Sequence, residues 1–473
     1  MLIPVITAGL VVWVAGVSVV IILQRRSAAA TLAWLLVLAF LLVLGLIVYR
    51  LIGPLRLERK KLRRSANRRV VGDALTALAS LDADAVEHLQ LATVAMELGE
   101  ASPLPSRAAD VYLDGASAYA ALLAEIAAAT HHVHLEYYIW EPDAIGTQLR
   151  DLLVERARAG VKVRMLVDGT GSNNLSRAFL RPLREAGAHV AWFNPVRLRS
   201  IRLRRPDFRT HRKIVVCDGR VGFTGGMNIT DAHSEKLSRE YWRDTHLRIT
   251  GAAVWPMQRM FIEDWFFATD SLCPVDAFAF PSPEPEPEGG VSHLVQIVGS
   301  GPDSDAFAIH KVMFTAVNQA TERLWLTTPY FVPDEALLTA LITAGLRDVD
   351  VRLIVPKRGD SRLVDLAARS YFPELLAAGV RVYEYETRFI HAKTILADDD
   401  VALIGTANLD NRSFRLNFEL AAVIYGAPVN ELLADAFTAD LRECRELTAG
   451  ALARQSLLRR FGQAAARLIS PLL

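Results

Sequence analysis

The sequence has little cysteine and almost no net charge. Three cysteines occur in 473 residues, Cys217, Cys273 and Cys444. This count provides no disulfide framework and suits a reducing compartment. The formal net charge is +1 at pH 7, so the whole chain is not a general polyanion binder, and nucleic acid is not an expected partner. The histidines also lack the spacing of metal ligands, so we expect neither a metal nor another cofactor.

One pattern, H-x-K-x4-D-x6-G-x2-N, is present twice. The first copy contains His211, Lys213, Asp218, Gly225 and Asn228, with Gly226 after its glycine. The second copy contains His391, Lys393, Asp398, Gly405 and Asn408. A single histidine and lysine of this kind would usually belong to a solvated strand face. The duplication, with glycine and asparagine in register, favours a functional site instead.

Each copy has the features of a β-hairpin. A run of apolar residues follows each lysine, reaches an acidic or glycine-containing turn and resumes as a second apolar run. Residues two apart on a strand share a face, so each histidine should project beside its lysine. Two such pairs would bring two imidazoles and two ammonium groups around one point, which is a suitable site for a phosphodiester.

The residue types in this pattern suggest a division of chemical roles. The lysines would stabilise charge on the phosphoryl oxygens. One neutral imidazole could attack phosphorus while the other, protonated, protonates the leaving alcohol. Asn228 and Asn408 could donate further hydrogen bonds. Gly225, Gly226 and Gly405 would let the backbone approach the phosphate closely. We therefore expect phosphodiester chemistry that does not depend on a metal.

The repeat extends beyond the motif. In each half, strands and helices alternate before the hairpin, with strands predicted at 133–139, 161–167 and 190–193, and again at 324–328, 349–355 and 380–383. This order predicts an α/β sandwich in each half and a pseudo-twofold active site. The predicted domains span 106–280 and 291–450. Proline alternating with glutamate marks 281–290 as an exposed linker.

The N-terminal part contains two long uncharged runs, residues 2–23 and 31–49. At ~1.5 Å per residue each helix would reach about the ~30 Å of a bilayer core. We therefore expect a two-span transmembrane anchor over 1–55. A signal peptide is the weaker alternative, because no basic segment precedes the first run. The juxtamembrane segment 56–105 begins with many basic residues, which places the catalytic body on the cytoplasmic face.

Two other basic regions allow alternative interpretations. Arginines crowd the approach to His211, between residues 197 and 212. They could form a solvated loop or a mouth that attracts anionic lipid headgroups. The tail, residues 451–473, mixes arginine with leucine and phenylalanine. It could lie on a membrane as an amphipathic helix or pack on the second domain.

With two predicted spans before a duplicated motif, the chain resembles bacterial cardiolipin synthases of the phospholipase D superfamily over nearly its whole length. Residues 241–251, 328–334 and 408–419 contribute similarity beyond the motif. The resemblance implies an α/β fold of two phospholipase D-like sandwich domains after two transmembrane helices. It also implies that two phosphatidylglycerols yield cardiolipin and glycerol through a phosphatidyl-histidine, at the bacterial inner membrane.

The resemblance also implies individual roles. His211 would be the nucleophile, and His391 the acid and then the base. Asp244 and Glu419 match the acidic residues that hold the imidazoles in this superfamily. Asp218 and Asp398 belong to the motif, but then look more like groups that frame the hairpin and pocket.

Other functions use the same residues. A membrane-anchored phospholipase D hydrolase would accept water in place of an alcohol, and the acceptor leaves no motif of its own. A phosphodiesterase or nuclease would gain little from two membrane spans. A catalytically silent lipid-binding scaffold is the non-enzymatic alternative, and the two intact motifs argue against it.

Overall fold

The structure is a computed structural model that describes residues 15–19, 21–23, 31–32, 35–36, 90–195, 207–279, 293–304 and 306–472. The described residues between 15 and 36 are helical. Within these described ranges, no helix combines the length and apolarity required to cross a bilayer. The predicted spans, the start of the juxtamembrane segment, the arginines between 197 and 205 and the linker 281–290 lie largely or wholly outside the described residues.

The described residues belong to two compact units. One unit contains the helical residues between 15 and 36 together with Asp207. The other contains the described residues of 90–195 and 208–472, and therefore both copies of the motif.

The first half of the larger unit alternates strands with helices. Its elements are α1 (Gln90–Glu97), β1 (Leu104–Ser106), β2 (Ala109–Tyr112), α2 (Gly115–Ala128), β3 (His132–Tyr137), α3 (Ala144–Arg158), β4 (Lys162–Asp168), α4 (Arg177–Glu185), β5 (His189–Phe193), β6 (Arg209–Thr210), β7 (Ile214–Cys217), β8 (Val221–Gly225), β9 (His246–Thr250) and α5 (Trp255–Thr269). Short 3-10 helices lie at Asp231–His233, Gly251–Val254 and Val275–Ala277.

The second half repeats this order and adds a C-terminal extension. Its elements are β10 (His293–Ser300), α6 (Ala308–Gln319), β11 (Arg323–Thr327), β12 (Phe331–Val332), α7 (Glu335–Leu346), β13 (Asp350–Pro356), α8 (Arg362–Ala377), β14 (Arg381–Tyr385), β15 (Thr394–Ala397), β16 (Val401–Gly405), β17 (Leu409–Asp410), α9 (Asn411–Arg415), β18 (Asn417–Tyr425), α10 (Ala427–Leu441), β19 (Cys444–Glu446), α11 (Ala449–Ala453) and α12 (Leu457–Leu468). A 3-10 helix covers Ser470–Leu472.

Polar side chains mark the beginnings of several helices. Asp143, Ser176 and Asp334 each precede a helix and accept a hydrogen bond from a backbone N–H in its first turn. Such caps satisfy backbone donors that have no partner within the helix. Ser361 caps α8 in the same way, so this helix begins at Arg362.

The two large sheets have equivalent strand orders. The first runs β2-β9-β8-β7-β3-β4-β5, and the second contains β10-β18-β16-β15-β11-β13-β14 in corresponding positions. The second sheet gains β1 at one edge and β19 at the other. Parallel pairing of β3 with β4 and of β11 with β13 recurs in the same place. The predicted mixed α/β fold with two similar halves is therefore confirmed.

Residues 90–105, the end of the predicted juxtamembrane segment, pack against the second half. In α1, Leu91, Ala92 and Ala95 are buried in the core of the second half. The Gln296 side chain also donates to the Ala92 carbonyl oxygen at 3.2 Å. This segment is therefore ordered structure, because its apolar residues cover a core that would otherwise be exposed.

The motif histidines and lysines lie just before the hairpin strands rather than within them. The strands begin at Ile214 and Thr394. The preceding segments pair with the opposite half: His211 N donates to Phe418 O at 2.9 Å, and His391 N donates to Arg243 O at 2.7 Å. The backbone of each motif histidine is therefore paired with the other half. The chain joins the sheet of its own half only after the motif lysine.

Candidate active site

Each motif histidine is paired with a carboxylate from the other half of the protein. His211 Nδ1 lies 3.0 Å from Glu419 Oε2, and His391 Nδ1 lies 2.7 Å from Asp244 Oδ2. All four side chains are buried. Because an ionised carboxylate only accepts, each Nδ1 carries the hydrogen and each Nε2 is left with its lone pair. The sequence identified these carboxylates by resemblance, and the structure shows that the pairing is crossed.

Burial keeps both imidazoles neutral in the unliganded protein. Burial lowers the pKa of His211 to about 4, although the Glu419 charge opposes the shift. Burial, together with the charges of Lys393 and Lys213, lowers the pKa of His391 well below its ordinary value. Burial alone would raise the pKa of Glu419, but His211, Lys213 and a hydrogen bond from Thr406 lower it to about 2. The site therefore combines neutral imidazoles with an ionised carboxylate.

Two buried ammonium groups lie beside the imidazoles. Lys213 Nζ donates to His211 O at 2.8 Å, and Lys393 Nζ donates to His391 O. Burial and the charge of Lys393 lower the pKa of Lys213 to about 7. Burial lowers the pKa of Lys393 to about 8, although Asp244 and Glu419 oppose the shift. An anion between the lysines would favour their charged forms, so the site is suited to a phosphodiester.

The motif glycines leave room for neighbouring protein groups. A Cβ on Gly226 would lie 2.0 Å from Asp244 Oδ1, and one on Gly405 would lie 2.6 Å from Leu420 O. Gly225 has φ +138 and would place a Cβ 2.6 Å from Thr245 O. These contacts are with β18, which carries Glu419, and with the segment just before β9, which carries Asp244. The expectation that the backbone approaches a phosphate here stays a prediction.

The asparagines help to shape the loop after each hairpin. Asn228 Oδ1 accepts from Ile139 N at 3.2 Å. Asn408 Oδ1 is buried and has no hydrogen-bond partner within the described chain. The expectation that either asparagine donates to a phosphate stays a prediction.

Although Asp218 and Asp398 belong to the repeated motif, they do not join the imidazoles and lysines. Asp218 accepts from Thr130 N at 2.8 Å and from His132 N at 2.9 Å. Asp398 accepts in the same way from Glu322 N at 2.8 Å. Each follows its hairpin strand, five residues beyond the lysine, or roughly 16 Å along extended chain. Their carboxylates fix the hairpin turn to the start of a neighbouring strand.

His233 is a site residue that the sequence analysis did not identify. Its Nε2 accepts from Asn228 N at 3.1 Å, so its Nδ1 carries the hydrogen and lies 3.4 Å from Asp244 Oδ2. In the second half Ser413 Oγ accepts from Asn408 N at 3.1 Å. Each of the two residues lies five positions after the asparagine of its motif. This shared spacing is the sequence signal that could have identified His233.

Aromatic side chains line the two imidazoles. The Tyr138 ring contacts His211 with centroids 5.1 Å apart. Trp242 and Phe389 lie beside His391 at 5.3 and 5.7 Å. These residues limit the positions that each imidazole can adopt and reduce its contact with water.

The ligand atoms of His233, Asp244 and His391 lie within 4.8 Å of one another, as in a metal centre. The hydrogen bonds oppose that function. His233 Nδ1 carries a hydrogen because its Nε2 accepts from Asn228 N. His391 Nδ1 is bonded to Asp244, and the charge of Lys393 acts on His391. With one imidazole nitrogen bonded to Asp244, another blocked by its hydrogen and a cation nearby, these three residues do not suit a metal ion.

The positions of Asp218 and Asp398 predict an effect on stability. Replacing Asp218 by alanine should lower the free energy of unfolding by about 2 kcal/mol, because several backbone N–H groups lose a charged acceptor. Thermal unfolding of the full chain in detergent would measure this loss, with Asp218→Asn as the milder control. Inorganic phosphate should still bind the lysine pair within about twofold of its original affinity. Unchanged stability together with lost phosphate binding would contradict the structural role.

Comparison with known proteins identifies one family. The family model described as cardiolipin synthase, PLD-like domain, matches residues 122–265 and 313–441. Cardiolipin synthase 1 of Bacillus cereus is 37% identical over 471 residues, covering 97% of this chain and 92% of that protein. The major cardiolipin synthase of Bacillus subtilis is 39% identical, covering 96% of both chains.

A solved structure shares the fold. Phosphatidylserine synthase of Haemophilus influenzae superposes with a TM-score of 0.59 at 16% identity, covering 81% of this chain and all of that one. At this identity the likeness concerns the fold alone. The family match and the two Bacillus relatives extend over most of this sequence. The chain belongs to the cardiolipin synthase family with phospholipase D-like domains.

Proposed function

We propose that the protein is a cardiolipin synthase that transfers a phosphatidyl group from one phosphatidylglycerol to another, releasing glycerol. The observation that carries this proposal is the pair of buried imidazoles, each bonded to a carboxylate of the other half and each beside a lysine. The two Bacillus relatives, named cardiolipin synthases, support cardiolipin as the product.

In the first step, the neutral Nε2 of His211 attacks the phosphorus of one phosphatidylglycerol. The bond from phosphorus to the headgroup glycerol breaks, and His391 protonates the leaving oxygen. The product is a phosphatidyl-histidine at His211. Lys213 and Lys393 stabilise the phosphoryl oxygens during this transfer.

In the second step, His391 removes the proton from a glycerol hydroxyl of the second phosphatidylglycerol. That oxygen attacks phosphorus and His211 leaves, which forms cardiolipin and restores the protonated His391. The cycle requires His391 to be charged when the first substrate is bound. A phosphodiester anion beside the imidazole favours that form, because it brings an opposite charge to a buried group.

The membrane location is part of the same proposal. Residues 2–23 and 31–49 would span the bacterial cytoplasmic membrane, with the catalytic unit on its cytoplasmic face. Their uncharged length and the basic residues after the second run support this arrangement. The arginines between 197 and 205 would attract anionic headgroups towards His211.

Product analysis tests the reaction. Purified full-length protein, incubated with phosphatidylglycerol labelled in its headgroup glycerol and acyl chains, should release glycerol and form labelled cardiolipin. Phosphatidic acid as the lipid product would identify a hydrolase instead. The His211→Asn, His391→Asn double variant serves as the control for background turnover.

The assignment of nucleophile predicts different behaviour for two variants. His391→Asn should form the lipid adduct slowly and fail to resolve it, because the acid and base are lost while the nucleophile remains. His211→Asn should form no adduct. Acyl-labelled substrate, rapid denaturation at alkaline pH and peptide mapping would locate the phosphorus. Label on His391 in the His211→Asn protein would reverse the assignment, and no adduct in any variant would reject the covalent mechanism.

The lowered pKa values of the two lysines predict that activity decreases as the pH rises above neutrality. The pKa of Lys213 is lowered to about 7 and that of Lys393 to about 8, so the free enzyme loses these charges as pH rises through this range. We expect kcat/KM for phosphatidylglycerol to fall by up to about tenfold per pH unit for each proton lost. Binding of an unreactive phosphodiester at pH 8 should then take up protons, measurable by calorimetry in buffers of different ionisation enthalpy. A flat profile to pH 10 without proton uptake would contradict the lowered pKa values.

A further inference from the structure

Helix α12 carries an exposed apolar face. Ser456 caps its beginning by accepting from Arg459 N at 3.3 Å. On the helical period, Leu457, Phe461 and Leu468 share one side, and Leu458 lies next to them. These four side chains are among the most exposed large apolar groups of the described chain, at 81%, 72%, 82% and 81% for Leu457, Phe461, Leu468 and Leu458.

The opposite side of α12 attaches the helix to the catalytic unit. Gln463 and Ala466 are buried. Arg467 is bonded to Glu374 of α8 and lies over the Tyr371 ring, 4.4 Å from its centroid. This arrangement is the reverse of an ordinary surface helix, which buries its apolar side and exposes its polar side. The apolar face is therefore directed outward while polar and small residues hold the helix in place.

The charges around this face indicate its partner. Residues 447–473 contain four arginines and no aspartate or glutamate. Arg459 and Arg460 are exposed beside the apolar side chains. An anionic lipid surface offers negative headgroups for the arginines and an acyl boundary for the leucines and phenylalanine. A second copy of the same helix would instead bring like charges together.

We propose that α12 lies in the boundary between headgroups and acyl chains of an anionic bilayer and holds the catalytic unit against that surface. Because α12 is attached to α8, the tail both packs on the second half and presents a membrane-binding face. The choice of an anionic phospholipid as the partner rests on the proposed function. The exposed face itself is independent of the reaction.

Photo-cross-linking in the full chain tests the contact. Phe461 is replaced by p-benzoylphenylalanine, and the protein is reconstituted in vesicles of phosphatidylcholine with or without phosphatidylglycerol. We expect lipid adducts at this position, several-fold more than at Leu272, a matched control with 65% exposure. The yield should fall when phosphatidylglycerol is omitted. Adducts to another protein chain, or no excess over the Leu272 control, would overturn the proposal.

A second measurement separates surface binding from catalysis. Substituting Leu457, Leu458 and Phe461 together by glutamine should lower the rate on phosphatidylglycerol in vesicles by about tenfold, because the apolar insertion is lost. The rate in detergent micelles, where no bilayer must be engaged, should stay within about twofold. An equal loss in both assays, or no loss in vesicles, would overturn the proposal. Cross-linking needs no turnover, so its result is independent of which product the enzyme makes.

Discussion

The site depends on hydrogen bonds that cross between the two halves. His211 is oriented by Glu419, and His391 by Asp244. The backbone N–H of each histidine donates to the residue directly before the carboxylate that holds its ring, Phe418 or Arg243. One segment therefore positions both the main chain and the side chain of the opposite motif. Neither half orients its own imidazole, so a complete site needs both halves.

Burial gives this arrangement its electrostatic character. Two lysines and two carboxylates lie close together with little water, and the pKa values of both lysines are lowered to about 7 and about 8. Burial disfavours the charged form of each lysine in the empty site. An opposite charge that binds nearby therefore stabilises this charged form strongly. The same effect acts on His391, which in the proposed mechanism gains a proton to serve as the acid. Binding of an anionic substrate would thus be coupled to the protonation state that the first step of the proposed mechanism needs.

The sequence predicted the sheets more accurately than the roles of individual site residues. The strand predicted at 349–355 is observed at Asp350–Pro356, because buried parallel strands produce clear apolar runs. The histidines and lysines were identified by duplication. Asp218 and Asp398 repeat equally well, yet they hold hairpin turns, since repetition does not separate structural from chemical roles. His233 was missed because its counterpart is Ser413. Both side chains meet the same need, an acceptor for the asparagine N–H.

The two halves differ around their carboxylates, and the difference follows from side-chain size. Asp244 Oδ1 lies where a Cβ on residue 226 would be, so only glycine fits there. The equivalent residue in the second half, Thr406, bonds through its hydroxyl to the longer Glu419. Asp244, beside His391, has the His233 imidazole as a neighbour. Glu419, beside His211, has the Thr406 hydroxyl. Two imidazoles in equivalent surroundings would share both roles. Unequal surroundings allow one to act as nucleophile while the other exchanges a proton, as the proposed mechanism requires.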